Sequence, residues 1–258
     1  MSDAKTVTAC LIIIGNEVLS GRTQDANLQY LAGALNEVGV RLAEARVIPD
    51  VEETIVATVN ECRTRFDYVI TTGGIGPTHD DITSASVSKA FGVRHVRNPE
   101  AEARLRRHYA RPEDVNAQRL RMAEMPEGAE LIDNPVSMAP GFRIGNVIVL
   151  AGVPRIMQAM FEGFRHKLKG GAPVLSRTVV AHVPEGKMAA GLGAAQAAHP
   201  EVEIGSYPFF RDGKLGASLV VRGTDAAAVA AATEAVKAAI RAQGGEPVEE
   251  NESAGRSA

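Results

Sequence analysis

Apolar positions along the first 170 residues switch repeatedly between two periods. Val7 to Ile14 is a nearly unbroken β-branched and apolar run, the pattern of a strand covered on both faces. Asn27 to Val38 sets Leu28, Leu31, Leu35 and Val38 on one helical face, and Gly39 stops that helix. Arg41 to Val47 alternates polar and apolar and predicts a strand. Val51 to Phe66 carries Ile55, Val59, Cys62 and Phe66 on one stripe and predicts a helix. Tyr68 to Thr72 reads as a short buried strand that opens into Gly73, Gly74 and Gly76. Helices are predicted over 82–91 and 99–110, and a hairpin pivoting on Gly145-Asn146 over 141–150. Ile156, Met157, Met160, Phe161, Phe164 and Leu168 mark a further amphipathic helix.

This alternation predicts an α/β fold: a mostly parallel sheet with helices on both faces, occupying residues 1–170. Ligands of such sheets sit at the carboxyl ends of the strands. The loops after Ile14, Thr72 and Leu150 are therefore the places to look for chemistry. Lys169-Gly170-Gly171-Ala172-Pro173 reads as a linker. Beyond it the order becomes β-α-β-β-α over 174–243, which predicts a small α+β domain with an antiparallel sheet. Residues 244–258 are polar and aperiodic, and a disordered tail is expected there.

Composition narrows the function classes. The 258 residues are 45% hydrophobic and 23% charged, as in ordinary globular domains. The formal net charge of -3, the 4% aromatic content and the absence of Trp leave little for a phosphate-backbone footprint or a base-stacking platform. Nucleic acid is not expected as a partner. No apolar run approaches the roughly 20 residues that span a bilayer, and Met1 to Lys5 is polar, unlike a signal peptide. Cys10 and Cys62 lie in apolar segments and read as reduced core residues of a cytoplasmic protein. The six histidines have no zinc-site spacing.

The chemistry concentrates in Thr71-Thr72-Gly73-Gly74-Ile75-Gly76-Pro77-Thr78-His79-Asp80-Asp81-Ile82-Thr83. Glycines let backbone N–H groups approach an anion, and the helix that follows adds positive partial charge, so a phosphate is the expected ligand group. Asp80 and Asp81 would repel a bare phosphate, and a divalent cation between them resolves the conflict. A bland reading stands beside this one: Gly73 to Pro77 as a mere turn and Asp81 as a helix N-cap.

The same stretch resembles the signature of the MoaB/Mog molybdopterin-binding domain family. Its nearest likeness is to the branch found in the competence/damage-inducible protein A family and in the N-terminal part of eukaryotic FAD synthases. Gly15-Asn16-Glu17-Val18-Leu19-Ser20-Gly21 is similar to that branch's first loop. Asn116-Ala117-Gln118-Arg119, Met125-Pro126-Glu127-Gly128-Ala129 and the run from Asn134 to Phe142 follow its later pattern in order and spacing. The resemblance implies a MoaB/Mog-like three-layer sandwich. It also implies a phosphate of molybdopterin or a nucleotide on Gly73, Gly74, Gly76 and Thr78. Asp81 would lie at the binding site and, with Asp80, hold a divalent metal (Mg²⁺, Mn²⁺ or Co²⁺) as the candidate catalytic pair. Glu17 would face the same crevice or be an exposed turn carboxylate. Asn116 and Arg119 would line the pocket, or be a helix cap and a surface ion pair.

One loop departs from the branch. Where the pattern has Leu-Pro-Gly-x-Pro-x-Glu-Met, this chain reads Leu150-Ala151-Gly152-Val153-Pro154-Arg155-Ile156-Met157. The acid is lost, which removes the support for a metal or proton-transfer role there and leaves phosphate contact to Gly152 and Arg155. The region from about 174 to 243 resembles the small middle domain of the competence proteins. It lacks a Gly-x-x-Gly loop for clamping RNA, and Tyr207 in Ile204-Gly205-Ser206-Tyr207-Pro208 reads as a packing residue. Arg104, Arg106, Arg107 and Arg111 form a dense basic run, read either as a solvated helix face or as a phosphate-steering rim.

Three functions remain open from sequence. The first is a binding module for a phosphorylated pterin or nucleotide. The second is a metal-dependent pyrophosphatase acting on ADP-ribose- or FAD-like dinucleotides. The third, disfavoured by charge and composition, is RNA binding by the second domain. A homo-oligomer is expected.

Overall fold

Val7–Ile14 forms strand β1, and its two faces enter two different cores. Ala9, Leu11 and Ile13 face one, Cys10, Ile12 and Ile14 the other, and none of the six is more than 4% exposed. Double coverage is why the run shows no polar alternation. The same split recurs in β3 (Tyr68–Thr72) and β8 (Val147–Leu150). Tyr68, Ile70, Ile148 and Leu150 join the first core, and Val69, Val147 and Val149 the second. The computed structural model describes residues 6–109, 111, 114–211 and 213–250. The chain divides into two units, Met1–Gly171 and Ala172–Ala258.

The sheet of the first unit has the order β2 (Val40–Ile48), β1, β3, β8, β7 (Gly141–Ile144), β6 (Glu130–Ile132). β2, β1, β3 and β8 run parallel, while β7 and β6 are antiparallel additions at one side. Helices α2 (Asn27–Glu37) and α7 (Pro154–Phe164) close the first core with Leu31, Leu35, Met157, Met160, Phe161 and Phe164. The second core is closed by α3 (Glu52–Arg65), α4 (Thr83–Phe91) and α5 (Pro99–His108) through Ile55, Val59, Val87 and Leu105. Each such side chain contributes roughly 1.5–3 kcal/mol when fully buried. Cys10 and Cys62 are free thiols with sulfurs 3.6 Å apart, and burial pushes the Cys10 thiol up to about 12. No helix among the described residues is long and apolar enough to cross a membrane.

Differences from the sequence reading are local. Leu28 lies on the rim of its helix face and is 37% exposed. The helix expected over 99–110 ends at His108. Five short elements have no counterpart in the sequence pattern: α1 (Asn16–Leu19), β4 (His95–Arg97), α6 (Ala117–Arg121), β5 (Glu124–Pro126) and β6. Three to five residues are too few to display either period.

The segment read as a linker is packed over its first three residues. Lys169 donates its N–H to the Tyr68 hydroxyl at 2.9 Å, and Gly171 donates to the Gly39 carbonyl at 2.8 Å. A Cβ on Gly39 would lie 2.1 Å from the Gly171 oxygen, and one on Gly170 would lie 1.7 Å from the Val38 oxygen. These glycines are required by close backbone approach, not by flexibility.

In the second unit, β9 (Leu175–Ala181), β10 (Glu203–Arg211), β11 (Lys214–Gly223) and β12 (Val248–Glu250) form an antiparallel sheet in the order β10-β11-β9-β12. Helices α8 (Glu185–Ala198) and α9 (Ala226–Ala242) cover one face through Met188, Val229, Ala232, Val236 and Ile240. Gln196 ties α8 to the sheet: its amide accepts from Ile204 N at 2.8 Å and donates to Val202 O at 2.7 Å. β12 corrects the expected tail over 244–258. Residues 248–250 pair with 178–180, and Lys237 reaches Glu249 at 2.7 Å. A strand of three residues recruited by an existing sheet edge carries no period of its own. Residues 251–258 lie outside the described residues.

A chain ending at Gly171 is expected to fold alone and to unfold in one cooperative transition. A chain ending at Leu168 loses the two backbone hydrogen bonds to Tyr68 and Gly39, about 1–3 kcal/mol together. It should melt roughly 2–10 °C below the Gly171 form. Thermal melts of the two truncations check this, and equal melting temperatures would show the 169–171 packing to be without weight.

Candidate functional site

The parallel strands β1, β3 and β8 lie side by side, so their carboxyl ends bring three loops together. Gly73 donates its N–H to Leu150 O at 3.2 Å, and Asn27 at the start of α2 donates from Nδ2 to Gly152 O at 2.8 Å. Gly15 N reaches Ile48 O at 3.1 Å, and Asn16 N reaches the Asp50 carboxylate at 2.8 Å. The approach is tight. A Cβ on Gly73 would lie 2.1 Å from Ile14 O, and one on Gly152 would lie 3.1 Å from the Gly73 Cα.

This changes the reason for the glycines. Gly73 and Gly74 have φ of 102° and 67°, the left-handed region that side chains avoid. A Cβ on Gly74 would strike the Thr83 hydroxyl at 2.1 Å, and one on Gly76 would lie 2.6 Å from an Asp81 oxygen. The space beside each glycine is filled by the protein itself. What the loop offers a ligand is its backbone: the N–H groups of Gly74, Ile75 and Gly76 find no acceptor among the described residues. Close to the same strand ends, the hydroxyls of Thr72 and Thr83 and the Oδ1 of Asn27 are buried without a hydrogen bond.

Asp81 is not the N-cap of α4. That place is taken by Ile82, with no side-chain cap. The Asp81 Oδ2 instead accepts from Thr78 N at 2.8 Å and from the Thr78 hydroxyl at 2.5 Å, closing the turn from 78 to 81. Its second oxygen remains available. Asp80 is exposed. The Thr78 hydroxyl and Asp80's own backbone N–H hold its carboxyl below the usual carboxylate range. The hydroxyl carries one proton, and the geometry gives that to Asp81, so the backbone contribution is the one that stays with Asp80. Arg121 clamps this turn: Nη1 donates to Thr78 O at 2.8 Å and Nη2 to Asp81 O at 3.3 Å. Nothing in the sequence reading singled out Arg121. The available signal was its position two residues after Arg119, which turns it to another side of the same helix.

Two spaces adjoin the turn. An open groove of about 710 Å³ runs between Pro77–His79 and Asn116–Arg121, so Thr78, Asn116 and Arg119 do meet. A smaller cavity of about 200 Å³ lies on the other side, beside Gly76 and Asp81, with Arg121 shared between them. Glu17 and Gly152 line neither. Glu17 folds its carboxyl back over Gly15, and Gly152 serves the loop packing.

Asn116 and Arg119 line the groove and also have structural partners. Asn116 is the N-cap of α6 and accepts from Arg119 N at 2.9 Å. Arg119 stacks over the Tyr109 ring at 4.2 Å and donates to Asp114 O, so it is a held guanidinium and not a surface ion pair. The basic run is largely neutralised. Arg104 pairs with Glu100 and Asp133, Arg106 with Glu102, and Arg111 with Asp114. That leaves a solvated helix face, not a phosphate-steering rim. Tyr207 is 50% exposed, with its ring laid over Gly205.

No group of three His, Cys, Asp or Glu side chains among the described residues could hold a metal ion. The protein donors near the loop are Asp80 and one oxygen of Asp81. Two carboxylates do not make an all-protein cage. They do fit an ion that keeps its waters and shares its shell with phosphate oxygens, the usual habit of Mg²⁺.

Comparison with known proteins identifies the family. The family described as "Probable molybdopterin binding domain" matches residues 10–170, and "FAD synthase, middle domain" matches 173–249. A protein of Pyrobaculum calidifontis is 40% identical over 211 residues, covering 78% of this chain and 80% of its own length. A CinA-like protein of Salinibacter ruber is 33% identical over 252 residues, covering 93% of this chain, which spans 60% of that relative. The crystal structure of CinA, of unknown function, from Thermoplasma acidophilum superposes with a TM-score of 0.58 at 32% identity. It covers 62% of this chain and 98% of that one. The matched segment contains the glycine loop, the Thr78–Asp81 turn and all three strand ends: this chain belongs to the probable molybdopterin binding domain family.

Proposed function

We propose that this protein binds a phosphorylated small molecule, a pterin or a nucleotide, at the carboxyl ends of β1, β3 and β8, with a divalent cation shared between the phosphate and Asp80 and Asp81. The observation that carries the reading is the set of unpaired N–H groups at Gly74, Ile75 and Gly76, between Gly73 packed on Ile14 O and the Gly74 carbonyl that accepts from Thr83 N at 3.0 Å. Donors fixed before the ligand arrives add electrostatic stabilisation with little ordering cost. A phosphate and a carboxylate about 4 Å apart repel by about 4 kcal/mol at an effective dielectric near 20, which is why the cation belongs to the proposal. Residues 78–81 are fixed by Arg121, so the carboxylates meet the ligand in a set geometry.

A second reading is favoured by Asp80. It is exposed, and its own backbone N–H holds its carboxyl below the usual range, while the Thr78 hydroxyl bonds Asp81. An ion held there and on a pyrophosphate would polarise a phosphoryl oxygen, so hydrolysis of a dinucleotide is the activity to look for. The chain's own residues contribute position: backbone N–H groups for one phosphate and Arg121 to keep the turn rigid.

Calorimetry with phosphorylated pterins and nucleotides, with and without Mg²⁺, tests the binding reading, and release of nucleoside monophosphate from ADP-ribose and FAD tests the second. Metal-dependent binding is expected. Affinity indifferent to both metal and phosphate would refute the proposal. Asp80→Asn and Asp81→Asn should each weaken Mg²⁺-dependent binding at least tenfold with unchanged melting temperature, because the amide introduced by Asp81→Asn still accepts from Thr78 and Asp80 is exposed. Melts and titrations side by side check this; full affinity in both variants would remove the carboxylates from the site.

Gly74→Ala is expected to destabilise the protein by about 1–3 kcal/mol, since it forces a side chain into the left-handed region and onto Thr83. Gly33→Ala, on the exposed side of α2 with open space around it, should stabilise by about 0.5–1 kcal/mol. Denaturant titrations give both signs.

A further inference from the structure

The two cysteines of this 258-residue chain meet in the second core. Cys10 lies on β1, and Cys62 lies on the last turn of α3, 52 positions later. Both are 0% exposed, and their sulfurs stand 3.6 Å apart, in van der Waals contact. Cys10 directs its S–H at the Cys62 sulfur. A buried cysteine packs as a small hydrophobe, a role that alanine or valine also fills. Packing alone does not call for two thiols in contact, and the phosphate reading uses neither.

The backbone on both sides of the pair has room to yield. Ala9 pairs with Leu42 and Cys10 with Glu44, so β2 carries an extra residue, Ala43, and the ladder beside Cys10 is interrupted. Helix α3 starts without a side-chain cap. Its far end is held by Asn146, which donates Nδ2 to the carbonyls of Arg63 and Phe66 at 3.0 Å each. A disulfide needs about 2.05 Å between sulfurs, so an approach of roughly 1.5 Å closes the bond. With both thiols sealed from solvent, an oxidant reaches them only when this end of the helix lifts.

From this juxtaposition we infer that Cys10 and Cys62 form a dithiol that hydroperoxides convert to an intramolecular disulfide, bolting β1 to α3. Cys62 is the attacking sulfur, because the S–H of Cys10 points at it and favours a thiolate there. On opening, Cys62 gives its proton to water and its thiolate attacks the terminal peroxide oxygen. The O–O bond breaks, Cys62 becomes a sulfenic acid, and the departing hydroxide or alkoxide takes up a proton. Cys10 then attacks the sulfenic sulfur. The S–S bond forms, the S–O bond breaks, and hydroxide leaves with the Cys10 proton as water. Two thiols thus lose two electrons and two protons, and the peroxide is reduced. Burial pushes the Cys10 thiol up to about 12 and the Cys62 thiol upward too, which keeps the closed protein slow to react.

The full chain is reduced with a phosphine, freed of it and treated with hydrogen peroxide where circular dichroism shows the fold intact. It is then denatured, alkylated with iodoacetamide and weighed. The expected product takes up no alkyl group, is lighter than the reduced chain by two hydrogens, runs as a monomer on a non-reducing gel and regains both thiols with phosphine. Its first unit should melt roughly 4–16 °C above the reduced form. Asn146→Ala, which frees the end of α3, should speed the loss of thiols about fivefold or more. In Cys10→Ala, dimedone should trap a sulfenic acid on Cys62; in Cys62→Ala it should trap none on Cys10. Persisting thiols, oxygen gained while a thiol remains, or a disulfide between chains overturns the inference, and these readings need no variant. A melting temperature unchanged or lowered by oxidation overturns the bolting of β1 to α3. A rate unmoved by Asn146→Ala overturns the route through the helix end, and dimedone on Cys10 instead of Cys62 overturns the order of attack.

Discussion

Everything at the candidate site depends on how closely the backbone at the end of β3 approaches its neighbours. Gly73 leaves no room for a side chain against Ile14 O, and Gly152 in turn closes on Gly73. That contact is available only because β1, β3 and β8 are adjacent and parallel and end at one level. Their adjacency rests on strands buried on both faces, with alternate side chains committed to two separate cores. A register slip of one residue would exchange those faces and lift the loops apart. The glycine loop is therefore the outermost layer of the core packing, and its free N–H groups are held by the same contacts that hold the sheet.

The turn from 78 to 81 adds charge to this frame without loosening it. Asp81 spends one oxygen on Thr78 and Arg121 spends two N–H groups on the turn's carbonyls. The arginine thereby links residues 78–81 to α6 some forty positions later, and places the open groove and the small cavity on its two sides. Asp80 is exposed, with His79 Nδ1 4.0 Å from its carboxylate and its own backbone N–H holding that carboxyl below the usual range.

The second unit is held by different means. Its helices are rich in alanine but close on the sheet through Met188, Val229, Val236 and Ile240, and Gln196 adds polar ties to Val202 and Ile204. The match of 173–249 to the FAD synthase middle domain reaches into β12, through Val248 and Glu249. Its strand is kept at the sheet edge by Glu249 shared between Arg177 and Lys237.

The long elements were legible in the sequence because each repeats its period several times: the apolar run of β1, the stripe of α3, the Ala-rich α9. The glycine loop and Asp81 were legible too, as residue types whose chemistry is local, and the order of motifs pointed to the family. The short strands β4, β5, β6 and β12 were not, since pairing with other strands creates them, and the helices α1 and α6 are too short to show a period. Nor could sequence assign purpose among chemically able residues. Asn116 caps α6 and Arg119 stacks on Tyr109 while both line the groove, Gly152 packs against Gly73, and Arg121 clamps the turn. A side chain's role follows from which groups it can reach, and reach across β1, β3, β8 and α6 is set by the folded arrangement of segments that are far apart along the chain.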